Sequence, residues 1–153
     1  MNWFRGYCSA KDTRGQPFRS GRICAGGVPP YTDGRRPADA DNPRGYFEHD
    51  LATRLHRDAT WLGEARGKAV KIVAQLLPFL PASEAYRIVF MHRDLADDDL
   101  AQAYAGQLLP VRRWLEARPG IAVLAVDYAA ALADPAAAAS CLGRFLGAPF
   151  DEA

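Results

Sequence analysis

One tetrapeptide, His92-Arg93-Asp94-Leu95, combines residue types that handle protons and phosphates. The same four residues form the catalytic loop of protein kinases, in which the aspartate accepts the proton of the substrate hydroxyl. Here the tetrapeptide also follows YRIVFM, Tyr86 to Met91, an apolar run that is typical of a buried strand. An arginine at the end of such a strand is suited to bind a phosphate.

The rest of the chain argues against a kinase. Kinases carry an asparagine shortly after this tetrapeptide to bind magnesium, but here the sequence continues ADDD. No glycine-rich loop precedes a Val-Ala-Ile-Lys strand, and no Asp-Phe-Gly follows. A chain of 153 residues is also too short for a kinase domain.

Arg93 then has two interpretations that the sequence leaves open. Ligands of parallel α/β sheets bind beyond the carboxyl ends of the strands, and Arg93 lies two residues after Met91. Its guanidinium would hold a phosphate with two hydrogen bonds, aided by the N-terminus of the next helix. Alternatively, it pairs with Asp94 or another surface carboxylate. The aspartates 97–99 suit the first turn of that helix, although they would repel a nearby phosphate.

Two further stretches carry candidate chemistry. Residues 15–22, GQPFRSGR, form either a nest of N–H groups around an anion or a solvated basic turn, and they lack the Walker pattern. Glu48 is a candidate general base if its helix faces a cleft, and otherwise a carboxylate that favours the helix start. His49 and His56 are seven residues apart, so on one helix they share a face but cannot bind one metal ion without other ligands.

The hydrophobic pattern predicts the scaffold that must position these residues. We expect strands and helices to alternate, which indicates a parallel α/β sheet of about three strands flanked by helices. The predicted strands are 69–74, 86–91 and 121–126, and the predicted helices are 46–58, 97–117 and 135–147. Pro110 is expected to kink the second helix or split it in two.

Composition limits the other function classes. Residues 1–45 are rich in Gly, Pro, Arg and Asp, so we expect a loop-rich N-terminal segment before an α/β domain over 46–153, within one domain overall. The net charge of +1 gives no general attraction for nucleic acid. Three widely spaced cysteines predict reduced thiols, no metal site and a cytoplasmic protein. No apolar run is long enough for a membrane span, and the N-terminus does not have the pattern of a signal peptide.

Several blocks resemble bacterial sulfotransferases that use 3′-phosphoadenosine 5′-phosphosulfate. They cover most of the chain from residue 26, namely GGVPPYTDGRRPADADNPRGYFE, WLGEARGKAVKIVAQLLPFLP, YRIVFMHRDL and RPGIAVLAVDYAAALADPAAAASCLGRFLG. The resemblance implies a P-loop NTPase-like fold, a nucleotide co-substrate, no metal, and sulfonate transfer to a hydroxyl or amine acceptor of unknown identity. In the family, a first strand leads into a loop that holds the 5′-phosphosulfate. Arg19, Ser20 and Gly21 are the nearest match to that loop, and no apolar run precedes them as a strand.

The resemblance also assigns individual roles. Arg93 would bind the 3′-phosphate, although the serine expected about eight residues later is Ala101. Glu48 would be the general base. Two functions follow from these assignments: a small sulfotransferase, or a catalytically inactive, truncated sulfotransferase-like domain that acts as a nucleotide-binding or interaction module.

Overall fold

The computed structural model describes residues 3–9, 28–40, 46–92 and 98–147. These residues form a parallel sheet with helices packed against it, which confirms the predicted α/β class. The strands are β1 (Trp3–Ser9), β2 (Ala69–Ile72), β3 (Ala85–His92) and β4 (Ile121–Asp127). The α-helices are α1 (Asp50–Thr53), α2 (Asp98–Glu116), α3 (Tyr128–Ala133) and α4 (Pro135–Leu146), and two 3-10 helices are η1 (Thr60–Gly63) and η2 (Ala74–Phe79).

The sheet has one strand more than the sequence predicted. The described strands lie in the order β2-β1-β3-β4, and β1 comes from the segment that was expected to be loop-rich. The expectation that no strand precedes residues 15–22 was therefore wrong. The sequence of β1, WFRGYCS, is rich in aromatic residues that favour strands, but Arg5 and Gly6 interrupt its apolar pattern. Pairing with a strand on each side stabilises this segment where local propensity is weak.

The helices differ from prediction mainly at the first one. Instead of a helix over 46–58, the structure has only the four residues of α1, because Phe47 has a φ of 47° and Arg54 leaves the helical region with a φ of −106°. His49 and His56 therefore do not share a helix. By contrast, α2 continues through Pro110 as one helix, so of the two expected effects, a kink or a split, the split was wrong. The last helix begins at Pro135 and ends before Gly147, as expected.

Two apolar clusters cover the opposite faces of the sheet. Alternate side chains of a strand point to opposite faces, so neighbouring buried residues of β3 belong to different clusters. One cluster joins Ile88 to β2, η2 and α2 through Val70, Leu77 and Val111 among others. The other packs Val89 and Met91 against α3 and α4 through Ala131, Leu142 and Leu146. The sheet thus has helices packed on both sides.

The outer edge of β2 is covered by the segment that precedes it in the chain. Tyr31 donates its backbone N–H to the carbonyl of Ala69 at 2.8 Å, and Ala69 donates to the carbonyl of Pro29 at 2.8 Å. This one parallel bridge satisfies backbone groups that an edge strand would otherwise expose. It also fixes residues 32–40 beside the start of α1, which is the region where the candidate site forms.

Candidate functional site

Lys71 of β2 forms an ion pair with Glu48, the residue predicted as general base. The Nζ atom of Lys71 donates to Oε1 of Glu48 at 2.6 Å. The Lys71 side chain is only 8% exposed, and that of Glu48 is 33% exposed. Val70 and Ile72 on either side of Lys71 are buried in the core, so the pleat of β2 turns Lys71 to the other face, towards Glu48.

A second cation, Arg36, contacts the other carboxylate oxygen of Glu48. Nη1 of Arg36 lies 3.4 Å from Oε2 of Glu48. The Arg36 guanidinium stacks over the ring of Tyr46, with Cζ 3.4 Å from the ring centroid. Tyr46 is buried and donates its hydroxyl to Asp39 at 2.5 Å, which fixes the ring on which Arg36 lies. The carboxylate therefore lies between two oriented cations.

These cations control the protonation of Glu48. Burial alone would raise the pKa of its carboxyl, but the hydrogen bond and charge of Lys71, together with Arg36, outweigh burial and hold the pKa below its ordinary value. Glu48 is thus a carboxylate at neutral pH. It can accept a hydrogen bond from a ligand, and it is a weaker proton acceptor than a carboxylate with a raised pKa would be.

The backbone around Glu48 is held by the loop that precedes α1. The carbonyl of Glu48 accepts from the backbone N–H of Asp33 at 3.2 Å and from Oγ1 of Thr32 at 2.9 Å. The Asp33 carboxylate in turn accepts from the N–H groups of Arg35 at 3.0 Å and Asp50 at 2.8 Å, and these bonds lower the pKa of Asp33. The loop and the first turn of α1 are therefore joined on both sides of Glu48.

His49 lies next to Glu48 and caps α1. Its Nδ1 atom accepts from the backbone N–H of Leu51 at 3.2 Å, so a neutral ring carries its proton on Nε2. The imidazole is nearly parallel to the rings of Tyr31 and Trp61, with centroids 4.5 Å and 6.4 Å away. This packing fixes the orientation of His49 at the wall of a cleft.

The cleft has a volume of about 210 Å³ and combines a charged end with an apolar wall. The Glu48–Lys71 pair forms the charged end with the His49 ring beside it, and three apolar side chains face it. Its lining residues are Glu48, His49, Ala52, Thr53, Lys71, Val73 and Leu76. Glu48 therefore does face a cleft, although it lies before a short helix turn and not within the long helix that the sequence predicted.

The carboxyl ends of β1 and β3 lie side by side near this cleft. Ser9, the last residue of β1, pairs with Met91 of β3, and His92 ends β3 opposite Asp127 of β4. The prediction that the His-Arg-Asp-Leu tetrapeptide begins at a strand end is thus confirmed. Lys71 of β2 pairs with the β1 residue that lies two positions before Ser9. From the spacing between neighbouring strands and the rise along a strand, the Cα atoms of Lys71 and Met91 are about 12 Å apart.

Of the predicted site residues, only Glu48 falls within the part of the chain that the structure describes. Arg19, Ser20, Gly21 and Arg93 lie outside the described residues, and their roles stay predictions. The sequence did not single out Lys71 or Arg36. A signal for Lys71 was present, because it is the only charged residue in the predicted strand 69–74.

Within 3–9, 28–40, 46–92 and 98–147, no group of three or more His, Cys, Asp or Glu side chains is arranged to hold a metal ion. None of the helices in these ranges is long and apolar enough to cross a membrane.

Comparison with known proteins finds no family model, curated protein or solved structure that matches this chain. A functional conclusion therefore depends on the residues and geometry of the chain itself.

Proposed function

We propose that the chain binds 3′-phosphoadenosine 5′-phosphosulfate across the carboxyl ends of β1 and β3 and transfers its sulfonate group to a hydroxyl or amine acceptor. The supporting observation is the sheet order β2-β1-β3-β4, in which the chain first turns to one side of β1 and then to the other. Open α/β sheets bind ligands where the strand order reverses in this way. Residues 15–22 follow β1 in the chain, and Arg93 follows β3 directly. The proposal includes a P-loop NTPase-like fold and a cytoplasmic location.

Each candidate residue has a chemical role in this proposal. Arg93 binds the 3′-phosphate through its guanidinium, and Arg19, Ser20 and Gly21 bind the 5′-phosphosulfate through N–H groups and charge. The acceptor atom attacks sulfur, the bond between sulfur and the bridging oxygen breaks, and adenosine 3′,5′-bisphosphate leaves. The acceptor proton passes to Glu48, which is ionised because its pKa is lowered.

A second candidate function is a nucleotide-binding or interaction module without catalysis. It is favoured by the environment of Glu48, whose oxygens lie 2.6 Å from Lys71 and 3.4 Å from Arg36. Two cations so close make the carboxylate a poor proton acceptor. Ala101 of α2, at the position where the resembling family has serine, removes a hydroxyl donor for the 3′-phosphate.

Calorimetric titration with adenosine 3′,5′-bisphosphate tests nucleotide binding. The enzyme requires this binding, and the non-catalytic module has it only if it is a nucleotide-binding module. We expect Arg93→Ala to weaken binding by about 1.5–3 kcal/mol, since hydrogen bonds to charged groups are worth that much. Arg112→Ala, an exposed position of α2, removes the same charge and is the matched control. Absence of binding by the unaltered chain, or equal losses in the two variants, would overturn the proposed nucleotide site.

Transfer of radiolabelled sulfonate from the co-substrate separates the two candidates. An active enzyme releases adenosine 3′,5′-bisphosphate in step with labelled product, and Glu48→Gln lowers the rate constant while nucleotide affinity stays unchanged. A protein that binds the nucleotide and transfers no label to any of a panel of alcohols, phenols and amines is the non-catalytic module.

A further inference from the structure

An exposed apolar stripe continues from the cleft along η2. Leu76 and Phe79 are three residues apart in η2, a spacing that aligns them on one side of a 3-10 helix, and Val73 is the N-cap residue just before it. Val73 is 39% exposed and Phe79 is 50% exposed. His56 meets the Phe79 ring edge-on, with centroids 5.9 Å apart and an interplanar angle of 63°. The stripe therefore presents oriented apolar side chains to solvent.

The cleft and the stripe form one continuous surface. Val73 and Leu76 belong to both, since they also line the cleft beside the Glu48–Lys71 pair. At the rise of a 3-10 helix, the six steps from Val73 to Phe79 cover about 12 Å. The surface thus has a charged head region and an apolar track, and both are built by described side chains.

The head region favours an uncharged polar group. Glu48 and Lys71 put both signs of charge within 2.6 Å of each other, and Arg36 adds a second positive charge. A ligand ion of either sign is attracted by part of this head region but repelled by the rest, and it must also give up its hydration. A neutral hydroxyl can donate to the Glu48 carboxylate without either penalty.

We infer that the cleft and stripe bind a small amphiphile, with its hydroxyl group at the Glu48–Lys71 pair and its apolar body along Val73, Leu76 and Phe79. The cleft volume of about 210 Å³ lies below the roughly 300–1,000 Å³ of pockets for drug-sized ligands, which suits a single ring followed by a short chain. The identification of this ligand as the sulfonate acceptor rests on the proposed function. The binding site itself does not, because none of its residues belongs to the nucleotide site.

Titration of the ¹⁵N-labelled full chain with 4-butylphenol, in the absence of nucleotide, tests the inference. We expect amide shifts to concentrate at Lys71, Val73, Leu76 and Phe79. Phe79→Ala should weaken binding about tenfold through the loss of apolar contact area. Leu132→Ala is the matched control, because this α3 residue is 54% exposed and lies outside the cleft. Both altered side chains are exposed, so the variants are expected to fold.

Comparison ligands test the head region. At neutral pH, 4-butylbenzoate and 4-butylbenzylamine carry opposite charges on the same apolar body, and each is expected to bind at least about fivefold more weakly than the phenol. Equal or tighter binding of either ion would overturn the inference, as would unchanged affinity in Phe79→Ala.

Sedimentation showing that Phe79→Ala converts a dimer to a monomer would assign the stripe to self-association instead. Phenol binding by a chain that does not bind adenosine 3′,5′-bisphosphate would support the amphiphile site and remove the transferase.

Discussion

Breaking the Lys71–Glu48 pair should measurably destabilise the protein. Removal of one partner from a fully buried pair costs about 3–5 kcal/mol, whereas an exposed pair is worth about 0.2–1 kcal/mol. Here Lys71 is 8% exposed and Glu48 is 33% exposed, so the pair falls between these cases. We expect Glu48→Gln to lower the free energy of unfolding by about 2 kcal/mol, because it removes a negative charge from beside a nearly buried ammonium.

A double-mutant cycle measured by urea unfolding isolates the interaction. Glu48→Gln, Lys71→Met and the double variant should give a coupling energy of about 1–2 kcal/mol. The Arg54–Asp50 pair is the control, since its atoms lie at the similar distance of 2.7 Å but its side chains are 60% and 37% exposed. Its coupling should not exceed about 0.5 kcal/mol. Equal coupling energies for the two pairs would refute the idea that burial strengthens the interaction between Lys71 and Glu48.

The same variants predict a pH dependence with a definite sign. The pKa of Glu48 is lower in the folded chain than its ordinary value of 4.5, so the unfolded chain binds the proton more tightly. The stabilisation is fully present above the unfolded pKa and is lost as the pH falls through the folded pKa. The stability gap between the unaltered chain and Glu48→Gln should therefore be constant above about pH 5.5 and shrink below it. A gap that stays the same down to about pH 3 would contradict the role assigned to the cations.

Two further predictions concern the framework around the site. Gly147 caps α4 with a φ of 65°, and a Cβ there would lie 3.4 Å from Nη1 of Arg87, so Gly147→Ala should lower stability by about 1 kcal/mol. Gly63→Ala, which meets open space, is the control for thermal unfolding, and equal melting temperatures would refute the reasoning. Burial raises the pKa of the Tyr86 hydroxyl from 10.0 to about 12, so the unfolded chain loses the hydroxyl proton at a lower pH than the folded chain does. The free energy of unfolding should therefore fall as the pH rises from 10.0 towards 12. Tyr86→Phe should remove this pH-dependent loss of stability, measured by urea unfolding. Parallel curves of unfolding free energy against pH for the two proteins would contradict the prediction.

The sequence predicted three strands of the sheet because each carries its own signal. The segments of β2, β3 and β4 are predominantly apolar runs with β-branched residues, which favour a strand whatever the neighbouring strands are. β1 lacks such a run, and its strand conformation depends on pairing with residues more than sixty positions away. The predicted helix over 46–58 had the right apolar spacing, but the turn at Phe47 and the cap at His49 limit it to α1.

The candidate site was only partly predictable for a similar reason. Glu48 was identified from its place at the start of a predicted helix and from the sulfotransferase resemblance. Its partners Arg36 and Lys71 are 12 and 23 residues away, and no local pattern links them. They meet because the backbone bridge between Pro30 and Ala69 lays the loop against β2. Contacts of this kind are set by tertiary packing, which composition and spacing do not specify.

The interior position of β1 has a consequence for how the chain folds. β1 is synthesised before the strands that enclose it, in which Ala69 pairs with Arg5 on one side and Tyr86 pairs with Phe4 on the other. β1 must therefore wait until β3 has been synthesised before both of its edges are satisfied. Closing such long loops has an entropic cost before any contact compensates for it, which slows folding. A chain that lost this strand would retain β2 and the β3–β4 pair as two separate pieces of sheet, with the middle of the structure removed.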